Sequence, residues 1–288
     1  MKLKLTALVL ASALVFTGCG SNNTDNKAAD AQPAASADNS GNSAAKVEDW
    51  DAITEQYRQF AIEQADSFVI ETEKFVTAVK TGDVEGAKKL YAPTRMYFER
   101  IEPIAEALGD FDPNIDAREN DVEEKDWRGF HRIEQALWEK NTTDGMEGYA
   151  DTLLQDVKLL RALMETVEVE PSLLVTGAVE LLNEVSSSKV TGEEERYSHT
   201  DLYDFAANVE GAKKIYELLQ PELKKHNAEL EGEIGKSFSS LEDALGSYKN
   251  ADGYVSYLEL KEEDTKKLSQ LLDALAEPLS QMGTILGA

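Results

Sequence analysis

Cysteine is all but missing: Cys19 is the only one in 288 residues. No intramolecular disulfide can form, so the folded part must hold together on its core alone. Positive charge is also scarce, with 29 Lys and Arg against 55 Asp and Glu and a formal net charge of −26. That balance excludes nucleic-acid binding, because phosphate contacts need clustered Lys and Arg. Histidine occurs three times. The apolar run from Leu5 to Phe16 is about a dozen residues, too short to span a bilayer as a helix. Clear two-residue alternation between turn signals is lacking as well, which points to an all-α fold.

The N-terminus reads as a targeting segment. Lys2 and Lys4 precede the apolar run, which ends in Phe16-Thr17-Gly18-Cys19. This resembles the bacterial lipoprotein cleavage box, so residues 1–18 are expected to be a signal peptide and Cys19 the lipidated residue. An ordinary secretory signal with an incidental cysteine is the plainer alternative, but the only cysteine stands where lipidation chemistry needs it. Loss of Lys2 and Lys4 with the signal would take the charge from −26 to −28. Residues 19–46 are rich in Asn, Ser, Ala, Asp and Gly with no large apolar side chain. They are expected to be a disordered tether reaching roughly 30 Å. The implied setting is the extracytoplasmic face of a bacterial cell membrane, held there by lipid. Besides keeping the protein soluble, the acidity supplies a field that draws cations in and opposes close approach to anionic headgroups.

From Val47 to residue 286 the apolar spacing is helical. Trp50, Ile53, Tyr57, Phe60 and Ala61 begin a stripe that runs to Val79 and stops at Thr81-Gly82-Asp83. Further helices are expected over 84–108, with Pro93 marking a break or a new first turn, and over 127–139, 144–168, 171–189, 199–219, 221–248 and 258–286, with a loop over 109–119. Glu85-Gly86-Ala87-Lys88-Lys89-Leu90-Tyr91 returns as Glu210-Gly211-Ala212-Lys213-Lys214-Ile215-Tyr216. The echo suggests two four-helix bundles, about 47–168 and 171–286, related by a pseudo-twofold, with each copy opening a helix.

One region concentrates metal-ligand chemistry. Glu99 and Glu102 are three apart, as are His131 and Glu134, and on helices each pair shares a face. Asp116 lies between them. Two such pairs on facing helices could bring an imidazole and several carboxylates to one point. Each residue alone has a plainer account: exposed glutamates on a helix, a turn aspartate in Asp112-Pro113-Asn114-Ile115-Asp116, a buried histidine bonded to a carbonyl. Shifted by the repeat, Glu99, Glu102, Asp116 and His131 fall on Lys224, Asn227, Leu241 and Ser256, so the cluster belongs to one half only. An oxygen-rich set with one imidazole suits iron, as Fe2+ or Fe3+, or manganese, and zinc and copper are the alternatives. Ser198 and Asp201 resemble a capping box with His199 at the surface; the functional alternative makes His199 and Asp201 an accessory metal or docking site. His226 sits on a polar face among lysines.

Three stretches resemble the imelysin-like, EfeO/EfeM-type iron-uptake lipoproteins: Tyr97-Phe98-Glu99-Arg100-Ile101-Glu102-Pro103, Asp116-Ala117-Arg118, and Gly129-Phe130-His131-Arg132-Ile133-Glu134. Tyr197 to Phe205 is similar to the family too. The resemblance implies two helical bundles and a metal site in the first. Matched residue by residue, it implies Glu99, Glu102, Asp116 and His131 as ligands, with Glu134 beside them. It also implies partners: an iron permease and a haem peroxidase. Many EfeO proteins carry a cupredoxin-like domain, and residues 20–46 are too short and polar for one, so the likeness does not extend to copper-dependent oxidation. The family's peptidase label rests on His-x-x-Glu. The inverted zincin motif needs a second histidine where this chain has Gln135, so a non-enzymatic role is expected over a metallopeptidase. A di-iron oxidase would need two Glu-x-x-His motifs, and a polysaccharide-binding module would need exposed aromatics.

Overall fold

In the computed structural model, residues 47, 49–105, 109–251 and 253–288 are described; the signal, Cys19 and the tether lie outside them. The chain is all-α, as its periodicity requires. Helix α1 (Trp50–Lys80) starts on Asp49, whose side chain accepts from Ala52 N. It buries Ile53, Tyr57, Ala61, Phe68, Phe75 and Val79, a stripe at intervals near 3.6. After the turn at Gly82, Asp83 caps α2 (Val84–Glu99) by accepting from Gly86 N. Then come α3 (Glu102–Ala105), α4 (Phe111–Asp116), α5 (Phe130–Glu139), α6 (Glu147–Met164), α7 (Pro171–Ser187), α8 (Asp201–His226), α9 (Ala228–Gly246) and α10 (Glu262–Leu286). A short antiparallel hairpin pairs Lys249 with Tyr254.

Helices α1, α2, α5 and α6 pack mainly on one another, as do α7, α8, α9 and α10. The two groups meet chiefly where α2 crosses α8 and α3 rests on α7. Gly211 makes the first crossing close: a β-carbon there would stand 2.4 Å from the Arg100 carbonyl oxygen. Pro103 faces Gly177 of α7 in the same way, at 2.8 Å.

Four local expectations are corrected. Helix 84–108 runs on through Pro93, with no break or new first turn there, and ends after Glu99. In an unbroken helix the nitrogen of residue 103 would bond to the Glu99 carbonyl, and Pro103 has no hydrogen to give. Asn208 Nδ2 takes that carbonyl instead, at 3.0 Å. Glu99 therefore ends one helix and Glu102 begins the next. The loop expected over 109–119 contains α4, whose Pro113 sits in the first turn, where no intrahelical donor is needed. The break expected at Pro221 falls at Asn227, whose side chain caps α9 by accepting from Leu230 N. Finally, the second copy of the heptapeptide lies inside α8 rather than opening a helix. Tyr91 points at His131, whereas the Tyr216 hydroxyl donates to the Glu231 carbonyl.

Candidate metal centre

The site begins with a clamp between α4 and α5. Gly129 has φ +91°, and a β-carbon on it would lie 2.2 Å from the Ile115 carbonyl oxygen. Only glycine tolerates that conformation and that approach. Two residues away, the Trp127 indole donates to the Ala117 carbonyl at 2.8 Å. Phe130, the first residue of α5, inserts its ring among Phe68, Phe75 and Tyr91, with centroids 5.8, 5.4 and 6.0 Å away. With Phe130 locked into the core and the 115–117 backbone held against 127–129, Asp116 and His131 are brought to face each other.

His131 is 1% exposed, and its two ring nitrogens are used differently. Nδ1 lies 3.0 Å from Glu134 Oε2. The other oxygen of Glu134 accepts the backbone amides of Tyr197 and Ser198 at 3.1 and 2.7 Å. As a carboxylate Glu134 can only accept from the ring, which places the ring proton on Nδ1; the Tyr91 hydroxyl also lies 3.3 Å from that nitrogen. Nε2 is left with a lone pair and has no hydrogen-bond partner among the described residues. It faces Asp116 Oδ1 at 3.7 Å and Glu194 Oε1 at 4.0 Å. First-row ions bound at about 2.0–2.2 Å hold their ligand atoms about 3–4 Å apart, so these three atoms fit one ion. A carboxylate behind a ligating imidazole is the usual way to fix its tautomer and direction. Burial, reinforced by the Arg95 charge, pushes the imidazole pKa down to about 4, so the ring is neutral at pH 7.

His131, Glu134 and Glu195 also bring one ligand atom each close together. We read that second set as hydrogen-bonded support, because Glu134 is already committed to His131 Nδ1 and two amides.

Glu99 and Glu102 stand apart from the imidazole and enclose Lys189. The ammonium lies 3.2 Å from Glu99 Oε2 and 3.1 Å from each oxygen of Glu102. Glu194 joins the two halves, with Oε1 4.0 Å from both Lys189 Nζ and His131 Nε2. Its Oε2 accepts from Arg118 at 2.8 Å. On the far side Arg95 donates to Asp116 and to Glu99 Oε1 (2.6 Å), while its Nε is in ion-pair contact, without hydrogen-bond geometry, with Glu195 Oε1 (2.6 Å) and Asp204 (3.6 Å). Burial alone would raise the Glu99 carboxyl; Lys189 and Arg95 outweigh it and hold it down to about 2. Burial pushes Glu195 up to about 7 against the pull of Arg95, and burial with the neighbouring Glu195 charge does the same for Asp201.

Among the described residues, eight carboxyl groups here are buried: Glu99, Glu102, Asp116, Glu134, Glu194, Glu195, Asp201 and Asp204. Arg95 and Lys189 are the permanent cations buried among them. So large an excess of buried acid calls for protons or another cation. A cavity of about 150 Å3 reaches the cluster from outside, lined by Glu102, Asp112, Asp116, Asp121, Glu184 and Glu194 with Arg118. A larger groove of about 520 Å3 beside Trp127, Arg128 and Tyr149 contains none of the eight.

Of the residues singled out from sequence, Asp116 and His131 share one point, Glu134 orients the ring, and Glu99 and Glu102 meet Lys189. His199 has φ +56° and is not among the converging ligands. Asp201 accepts from Glu195 N rather than capping Ser198, and Thr200 holds the N-cap position of α8. Sequence reasoning passed over Glu194, Glu195, Lys189, Arg95, Asp204 and Asn208. Arg95 and Glu99 form a legible i,i+4 pair, and Asp201, Asp204 and Asn208 put polar groups at helical spacing beside buried Leu202 and Phe205. Glu193-Glu194-Glu195 reads only as a charged loop.

The imelysin family model matches residues 53–282. A protein of Staphylococcus haemolyticus named "Efem/EfeO family lipoprotein" is 45% identical over 289 residues, covering 98% of this chain and 99% of its own. One of the same name from Staphylococcus aureus strain NCTC 8325 is 48% identical over 238 residues, covering 81% and 84%. Among the described residues no helix is long and apolar enough to cross a membrane.

Proposed function

The chain belongs to the imelysin family, and we propose that it is a lipid-anchored, extracytoplasmic iron-binding component of an uptake system. In this reading it captures the ion at Asp116, His131 and Glu194 and delivers it to a permease. One observation carries the reading: a buried, neutral imidazole with a bare Nε2 lone pair, oriented by Glu134, facing two carboxylates inside a chamber of excess negative charge. A hydrophobic core gains nothing from such a group, since an unpaired buried nitrogen costs about 1–3 kcal/mol. Carboxylate and imidazole donors suit iron in either oxidation state, and zinc would use the same atoms. Glu99 and Glu102 meet Glu194 around Lys189 and add their oxygens to the same chamber. The acidic cavity supplies a way in for a cation.

A binding role fits better than peptide hydrolysis. A hydrolytic zinc is usually held by at least two fixed protein ligands of imidazole type plus an open water position. Here Gln135, in the place of a second histidine, hydrogen-bonds Glu119 and Tyr197. Anchoring would come from Cys19 and handover from lateral movement on the tether. The names carried by the relatives, with their words EfeO and lipoprotein, support both uptake and anchoring. The permease and a haem peroxidase are the partners this reading expects.

Anaerobic calorimetry with Fe(II) on wild type and His131→Ala tests the proposal. Wild type should show one saturable site, and the variant should lose at least about tenfold in affinity while keeping its helical circular dichroism. Equal binding by the two proteins would overturn it.

A further inference from the structure

Two buried cations share the candidate site, and they are built differently. Arg95 is held by four carboxylates on three sides. Its planar guanidinium hydrogen-bonds Asp116 and Glu99 at once, and such a group does not leave easily. Lys189 is a point charge on a flexible stem, 1% exposed, with Glu99, Glu102 and Glu194 around its ammonium. Fully buried lysines are rare.

The contacts of Lys189 are groups a bound cation would want. Glu194 Oε1 lies 4.0 Å from Lys189 Nζ and 4.0 Å from His131 Nε2. An ion at His131 and Glu194 therefore sits next to the ammonium, and like charges at that spacing repel. An ion of charge two or three gains more from the same carboxylates than an ammonium does. The cavity lined by Glu102, Asp112, Glu184 and Glu194 opens alongside. It gives the ammonium somewhere to go and acidic partners when it arrives. The backbone need not follow. Tyr257 donates its hydroxyl to the Val190 carbonyl at 2.6 Å, and its ring covers Gly192.

We infer that Lys189 is a tethered competitor: it closes the Glu99–Glu102 half of the cage, leaves when the ion enters, and thereby sets how tightly the ion is held. The device keeps the empty site compensated and weakens capture, so that the ion can be given up again. The inference rests on the ion-binding reading above.

Two measurements test it. Anaerobic calorimetry with Fe(II) should show Lys189→Met binding at least about tenfold tighter than wild type, because the empty cage has lost its internal partner. Acylation of wild-type amines followed by mass spectrometry should find Lys189 protected without Fe(II) and labelled with it. Equal or weaker binding by Lys189→Met would overturn the inference, and so would continued protection of Lys189 in the loaded protein. Should the variant fail to fold, the labelling of wild type decides alone. Wild type that binds no Fe(II) would bring down the ion-binding reading and this inference together. Binding with Lys189 still protected would bring down this inference only.

Discussion

Replacing Glu134 by Gln changes one atom and should switch the tautomer of His131. At present Oε1 accepts two amides, from Tyr197 and Ser198, and Oε2 accepts Nδ1–H. A glutamine must keep its carbonyl toward the two amides, since those are fixed donors. Its NH2 then faces His131 Nδ1, which must become an acceptor, and the proton moves to Nε2. The lone pair that faced Asp116 and Glu194 is gone. To bind an ion the ring must return to its former tautomer with two donors opposed, or turn away. Loss of such an outer carboxylate typically costs ten- to a hundredfold in metal affinity, about 1.4–2.7 kcal/mol. Gln has nearly the volume of Glu, so the helical circular dichroism should be retained and the affinity read on folded protein. Nitrogen NMR of labelled histidine reads the tautomer, and calorimetry with Fe(II) reads the affinity. A Glu134→Gln protein with an unchanged His131 tautomer and unchanged affinity would refute the reasoning.

Other outcomes follow from the same geometry. Asn208→Ala should cost about 1–3 kcal/mol in a denaturant melt, because the Glu99 carbonyl that Pro103 cannot satisfy loses its donor; an unchanged midpoint would contradict this. Gly129→Ala should be destabilised by about 2 kcal/mol or more, from the left-handed backbone and the approach to Ile115; a stable variant would show that the clamp is dispensable. Glu195 and Asp201 have pKa values raised to about 7 from 4.5 and 3.8, so the folded state binds more protons than the unfolded chain across that window. Their contribution is present at low pH and lost as pH rises toward 7. His131, lowered from 6.5 to about 4, works the other way, losing stability as pH falls below 6.5. Burial raises Glu102, Glu134 and Asp204 in the same direction, so the acids outweigh the one imidazole and metal-free protein should melt higher at about pH 5.5 than at pH 7.5; a melting temperature that falls on acidification would refute the balance. Cys19→Ser should release the protein from membranes into the aqueous phase of a detergent partition, and retention would show another anchor.

The all-α class was legible because helix formation under a one-sided core leaves a 3.6-residue stripe, and α1 shows that stripe over its whole length. The turn at Gly82 and the Asp83 cap were legible for the same local reason. So was the pairing of His131 with Glu134, since a three-residue spacing on a helix fixes proximity without any partner element. Chain punctuation was less reliable. Pro103 and Pro221 are the same residue type, yet one ends a helix and the other does not. The difference is tertiary: Asn208 from α8 satisfies the carbonyl that Pro103 orphans, so the break at 100–101 costs little.

The site as a whole was decided by tertiary structure. Asp116 and His131 are fifteen residues apart and meet because Gly129 lets two backbones touch. Glu194 and Lys189 arrive from a segment between α7 and α8 with no periodicity to mark it, so nothing local distinguishes them from solvated charges. Burial converts those charges into chemistry, and burial of a loop residue depends on what packs over it. The sequence by itself determined the helices, the excess of acid and the scarce histidine beside its glutamate. Which carboxylates face that histidine, and which face a lysine instead, depended on how α2, α5 and α8 come together around them, because the strength of a charge interaction depends on distance and desolvation that only the assembled fold supplies.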